Sequence, residues 1–153
     1  MKIELVKAKL SDIENMQKLV IPEVEAGIIL ARSSDEIATN IRSYILAKED
    51  GDIVGFCALH IHTPSLAEIR SLVVKDGKRG LGIGQSLISK AIDEAKLLGL
   101  QKVLSLTYKQ SFFEKLGFIE IPKESLPEHK IWADCIKCKH FPVCNEVSLI
   151  KTL

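Results

Sequence analysis

Net charge is almost absent from this chain, since 21 Lys and Arg face 20 Asp and Glu, a formal +1. So neutral a chain lacks the bulk attraction on which non-specific nucleic-acid binding depends. Any anionic ligand must then be held by a local arrangement of charges and amides. Long apolar runs are missing too, and none approaches the roughly 18 residues a membrane span requires. Lys2, Glu4 and Lys7 place charge where a secretory leader would have its apolar stretch, so a mature cytoplasmic protein is expected. Cysteine is sparse, and three of the four lie between Cys135 and Cys144 while Cys57 sits in an apolar run. In a cytosolic chain that spacing suggests metal or reduced thiols ahead of a disulfide framework. Repeats, low-complexity tracts and linkers are also lacking. What remains is an ordinary globular mixture, 46% apolar and 27% charged, whose 153 residues suit one domain with its own core over 1–153.

The pattern predicts a strand over 3–8. Ser11 followed by Glu14 reads as a capping box opening a helix to about residue 25, broken or kinked at Pro22 and closed at Gly27. Ser33 and Glu36 form a second such signature before a short helix. Strands over 44–48 and 53–61 flank an Asp50-Gly51 hairpin turn, and 66–74 reads as the next strand. From Gly82 onward Ile83, Leu87, Ile88, Ala91, Ala95 and Leu98 recur at helical spacing up to Gly99. A strand over 103–106, a short helix over 112–116, a strand over 118–121 and an apolar stretch at 147–150, suited to a sheet edge, complete the order. The expected fold class is α/β, with one mixed central sheet flanked by helices and a Cys-rich tail.

The strand-to-helix turn Lys78-Arg79-Gly80-Leu81-Gly82-Ile83-Gly84 is the most informative stretch. Glycines there let backbone N–H groups point outward, at the positive end of a helix whose first amides have no internal partner. A phosphate suits such a cup, and Lys78 and Arg79 stand where they can add charge. The spacing fits neither a Walker A loop, which needs Gly-Lys-Ser/Thr, nor the G-x-G-x-x-G dinucleotide fingerprint. A glycine-rich turn that binds nothing is the bland alternative.

Arg79, Gly82 and Gly84 resemble the Arg/Gln-x-x-Gly-x-Gly/Ala pyrophosphate loop of the GNAT superfamily of acetyl-CoA-dependent acyltransferases. The aromatic-Glu-Lys-Leu-Gly-Phe run from Phe113 to Phe118 looks like that family's last motif. Nearly the whole chain, including 27–33, 68–74 and 126–135, is similar to the short stand-alone N-acetylglutamate synthases. The resemblance implies a mainly antiparallel sheet, acetyl-CoA as co-substrate and L-glutamate as acceptor in arginine biosynthesis. It assigns pyrophosphate contacts to Arg79, Gly80, Leu81, Gly82, Ile83 and Gly84. Backbone contacts to the pantetheine arm and the oxyanion fall to a bulged strand bearing Leu72, Val73 and Val74.

The implied reaction needs a neutral amine, donors for a developing oxyanion and a proton for the leaving thiolate. Glu68, entering a buried strand where desolvation would raise its pKa, is the chosen base, although a solvated strand-end carboxylate is the plain alternative. Phe113 stands where many relatives have Tyr and cannot donate a proton. Tyr108 and Ser111 are the nearby hydroxyls; Ser111 could equally be a helix cap and Tyr108 a strand-end aromatic. Arg32 and Arg70 suit an acceptor with two carboxylates, and Arg70 should share a strand face with Glu68. Cys135, Cys138 and Cys144, with His129 or His140, would satisfy tetrahedral zinc as a structural clamp, or else stay reduced thiols or oxidise. The expected partner is a small amino acid, with no nucleic acid and no membrane, and a homodimer stays open. Acetylation of another small amine or of a protein Lys or N-terminus, and a non-catalytic acetyl-CoA or amino-acid sensor, are the competing readings.

Overall fold

Asp50 and Gly51 both take positive φ, 51° and 88°, and close a two-residue hairpin between β2, Tyr44–Glu49, and β3, Asp52–Ile61. The computed structural model describes residues 2–122, 125 and 147–153. Around this hairpin stand β1 at Ile3–Lys7, β4 at Leu66–Val74, β5 at Lys102–Thr107, β6 at Ile119–Ile121 and β7 at Val147–Thr152. The described strands form one sheet of order β1-β2-β3-β4-β5-β7-β6, in which only the β4–β5 pair is parallel. This is the mixed, mainly antiparallel sheet expected; the Cys-rich part of the tail lies outside the described residues.

Helices cover both faces. Helix α3, Ile83–Leu98, buries Ile83, Leu87, Ile88, Ala91, Ile92 and Ala95 against Ile45, Cys57, Leu59, Ala67 and Ile69 of the sheet. Helix α4, Gln110–Lys115, adds Phe113 to the same side. On the opposite face α1, Ile13–Glu25, and α2, Ser34–Thr39, close over Tyr44, Leu46, Phe56, Ala58 and Val73. Because side chains alternate along a strand, odd positions of β3 from Gly55 onward and of early β4 face α3, and even positions face α1 and α2. Gly55 allows α3 to sit low on the sheet, since a Cβ there would stand 2.9 Å from the Val73 carbonyl oxygen and 3.3 Å from Ile83.

Helix ends follow the sequence in part. Ser33 Oγ accepts from the Glu36 amide at 3.1 Å and Glu36 Oε1 from the Ser33 amide at 3.4 Å, so the second capping box is real. The helix α1 runs through Pro22 and ends in a Schellman arrangement, with Ile28 N–H on the Glu23 carbonyl and Gly27 N–H on that of Val24. The Ser11 cap is a correction. Residues Leu10–Asp12 form a 3-10 turn, and Asp12 makes the reciprocal bond, accepting from the Lys9 amide at 2.9 Å. Lys48, brought in by β2, reaches the other Asp12 oxygen at 3.0 Å, a partner that no local pattern announces. A second correction concerns β7, which enters the sheet between β5 and β6 rather than at its edge. The connection through α4 makes β5 and β6 parallel and leaves a gap that one antiparallel strand fills.

Burial works to raise the Asp12 pKa, but the Lys9 amide and the Lys48 ammonium outweigh it and hold the carboxyl below its usual value. The stabilisation is therefore complete above the unfolded carboxylate pKa of about 3.9 and is lost as pH falls through the lower folded value. Asp12→Asn is expected to cost about 1–2 kcal/mol at pH 7, with the difference from wild type shrinking below about pH 4. Urea denaturation at the two pH values checks this.

Candidate active site

Two local irregularities open the sheet at one place. Ser71 takes φ of 59°, and between the Phe56–Val73 and Ala58–Arg70 pairs two β4 residues, Ser71 and Leu72, oppose the single Cys57. This is a bulge. On its other side β4 pairs with β5 only from Leu66–Lys102 to Glu68–Leu104. Beyond Glu68 the strands part, because β5 continues along β7 while β4 bends away. The peptide groups of Leu72, Val73 and Val74 on the β5 side are thus not used by a β5 ladder, as the resemblance implied. Val73 is buried and Leu72 and Val74 pack on the core, so their side chains serve the fold.

At the mouth of this fork stands the glycine turn. Gly80 and Gly82 have φ of 81° and 82°, and Gly82 is the N-cap of α3. Among the described residues the N–H groups from Gly80 to Gln85 donate to no backbone carbonyl, and the first closing bond runs from Ser86 N–H to the Gly82 carbonyl. The cup of outward amides is therefore present. Gly84 serves packing, with Phe112 3.4 Å from the place its Cβ would take. The two cations of the turn are engaged in ion pairs. Lys78 binds Glu49 at 2.8 Å, while Arg79 binds Glu23 of α1 at 2.8 Å and Asp76 at 3.3 Å. Both carboxylate partners Glu23 and Glu49 come from elements distant in sequence, so the turn itself offered no sign of them. Positive potential in the cup comes from amides and the helix dipole.

Glu68, the last β4 residue paired with β5, is 1% exposed, and its Oε1 lies 2.9 Å from His62 Nε2. Arg70 follows on the same face before the bulge, and its Nη2 lies 3.0 Å from His60 Nδ1. The two imidazoles meet edge to face with centroids 4.9 Å apart. Arg32 leaves the α1–α2 loop with its side chain 14% exposed and Glu36 3.7 Å away. Both arginines lie near enough to Tyr44 for their charges to act on it. Burial pushes its phenol pKa up, the Arg32 and Arg70 charges pull it back, and Glu36 adds to the rise. Cross-strand register sets Tyr44, Ala58 and Arg70 in one row, and the small Ala58 leaves room between the other two. Arg32, Arg70 and Glu68 thus gather on one face beside the fork.

The sequence reading missed Tyr44, His60 and His62. An unbroken register from the hairpin turn would set Tyr44 opposite Cys57, facing α3. An irregularity beside Lys48 leaves Val54 unpaired and shifts the partner to Ala58. The histidines did carry a signal, their two-residue spacing matching that of Glu68 and Arg70.

Tyr108 is 40% exposed just past β5. Ser111 is the second residue of α4 and not its cap, which is Lys109. The amide of Lys109 is taken instead by Thr107 Oγ1 at 2.9 Å. Phe113 is 2% exposed and packs edge to face on Phe112 and Phe118, so it belongs to the core. Cys57 is core as expected, its thiol pushed up to about 12 by burial. Cys135, Cys138, Cys144, His129 and His140 lie outside the described residues, and no group of three metal-binding side chains occurs among those described.

A family model described as the acetyltransferase (GNAT) family matches residues 12–118. An N-acetyltransferase of Chlorobaculum tepidum, described as uncharacterized, is 38% identical over 146 residues, 95% of this chain and 94% of its own. An amino-acid acetyltransferase of Mycobacterium tuberculosis is 32% identical over 119 residues, covering 75% of this chain and 67% of that protein. The fold is similar to that of N-acetylglutamate synthase from Neisseria gonorrhoeae complexed with coenzyme A and N-acetyl-glutamate. There the TM-score is 0.89 at 24% identity, over 100% of this chain and 35% of that one. With the bulged strand, the fork and the amide cup in place, the chain belongs to the GNAT acetyltransferase family.

Proposed function

We propose that this protein transfers the acetyl group of acetyl-CoA to the α-amino group of L-glutamate, a step of arginine biosynthesis. The observation that carries the reading is the pair Arg32, half-buried in the α1–α2 loop, and Arg70, two residues from the buried carboxylate of Glu68 on one strand face at the fork. A guanidinium matches a carboxylate with two parallel N–H donors, and glutamate has two carboxylates to hold. Diphosphate oxygens of the coenzyme would take the Gly80–Gln85 amides, and its arm would run along the open side of Leu72–Val74.

In that arrangement Glu68 takes a proton from the acceptor ammonium. The freed amine attacks the thioester carbonyl and the new C–N bond forms; that nitrogen then loses its second proton to solvent as the C–S bond breaks and the thiolate leaves. Backbone N–H groups beside the bulge stabilise the negative oxygen that develops. The thiolate proton comes from Tyr108, Ser111 or solvent.

Acetyl-CoA-dependent thiol release across the twenty amino acids tests the reading, with glutamate expected to give the highest kcat/KM. Arg70→Gln and Arg32→Gln should each raise the glutamate KM by about 10- to 100-fold and leave CoA affinity unchanged. Preference for lysine or another cationic amine would overturn the acceptor, because cations require carboxylates in place of these arginines. CoA binding without thiol release from any amine would point to a sensor.

A further inference from the structure

We infer that His60 and His62 are positioning residues, His62 fixing the base carboxylate of Glu68 and His60 fixing the guanidinium of Arg70. The inference rests on the acetyl-transfer reading above and adds two residues to it.

The bonds are diagonal. His60 is the direct cross-strand partner of Glu68, yet it bonds to Arg70, two residues on, and Glu68 bonds to His62. Diagonal neighbours on one sheet face lie within reach of long side chains. Donor chemistry then sets the protons. An Arg nitrogen can only donate, so His60 Nδ1 must accept, and His60 is neutral with its proton on Nε2. A carboxylate ready to receive a proton can only accept, so His62 Nε2 must donate to Glu68 Oε1.

The His62 and Glu68 side chains are 2% and 1% exposed, so water does not compete for the bond between them. The His60 and His62 rings meet edge to face at 76°, so turning either ring gives up that contact as well as its hydrogen bond. The Arg70 guanidinium, 3.0 Å from His60 Nδ1, further disfavours a second cation on that ring. A base and an acceptor anchor two residues apart are thus locked by two imidazoles two residues apart.

The test has one arm that needs no acceptor. In the free protein with 15N-labelled histidine, His60 Nδ1 is expected to stay unprotonated from about pH 5.5 to 8.5 and to titrate near about 6.5 in Arg70→Leu. A wild-type His60 that titrates ordinarily, or carries its proton on Nδ1, overturns the inference whatever the substrate proves to be.

The second arm uses whichever amine gives the fastest thiol release. His62→Phe should lower kcat by about 10- to 100-fold with little change in acceptor KM, and His62→Gln, which restores a donor, should recover most of it. Conversely, His60→Leu should raise acceptor KM about 10-fold with a smaller effect on kcat, and His60→Asn should recover affinity. Gln and Phe variants equally impaired at position 62 would mark a structural role and reject the proposal. Fast turnover of a non-acidic amine would overturn glutamate as acceptor while leaving the His62 arm decisive.

Discussion

Gly82→Asp is expected to weaken CoA binding by about 100-fold or more while shifting the thermal midpoint only slightly. The residue caps α3 at φ of 82°, and a Cβ there would meet nothing within 4 Å. The substitution therefore causes no clash. It does impose left-handed backbone strain of about 1–2 kcal/mol, the least for Asp and Asn among side-chain-bearing residues. The large effect is electrostatic. A carboxylate at the N-cap competes for the Gly84 and Gln85 amides that a diphosphate would need, and it repels the diphosphate. Lys78 and Arg79, the cations of the turn itself, are engaged by Glu49, Glu23 and Asp76 and offset that repulsion little. Gly82→Asn carries the same strain without the charge and should cost at most about 10-fold. Calorimetric titration with CoA compares the three proteins, and unchanged affinity in the Asp variant would remove the loop from the binding site.

Glu68→Gln should lower kcat by about 100- to 1000-fold at pH 7, and by much less at pH 9. At neutral pH the acceptor amine is mostly protonated and needs a base; as pH approaches the amine pKa of about 8 to 10, the base matters less. Glutamine keeps the shape and can still accept from His62, so the fold and the 2.9 Å contact are retained. The pH–rate profile separates the possibilities: a deficit that is the same at every pH would mean that Glu68 only orients its neighbours. Measuring kcat and not kcat/KM alone keeps the effect apart from any change in binding through Arg70.

Particular residues show what could be read from the chain alone. Asp50-Gly51, the Ser33/Glu36 box and Gly99 at φ of 86° stood out because each is fixed by chemistry within a few residues. The Gly80–Gly84 turn was legible for the same reason. Asp12 was not, since its bond to Lys48 spans 36 positions and replaces the Ser11 cap that the local pattern favours. Lys78 and Arg79 looked available because Glu49 and Glu23 lie 29 and 56 residues away. Arg32 and Arg70 could be named from residue type, but their meeting at Tyr44 depends on the unpaired Val54, which shifts register by one and turns that ring to the other face. Phe113 illustrates the reverse: a position examined for chemistry turns out to hold up the core.

The placement of β7 between β5 and β6 also orders events during synthesis. A ribosome makes both outer strands before the one that joins them, so for a time each carries a row of unclaimed peptide groups. Thr107 and Val147 are direct partners, and bringing them together closes a loop of about 40 residues, an entropic cost met only at the end. One wall of the fork thus stays without its outer neighbour until residues 147–152 have left the exit tunnel.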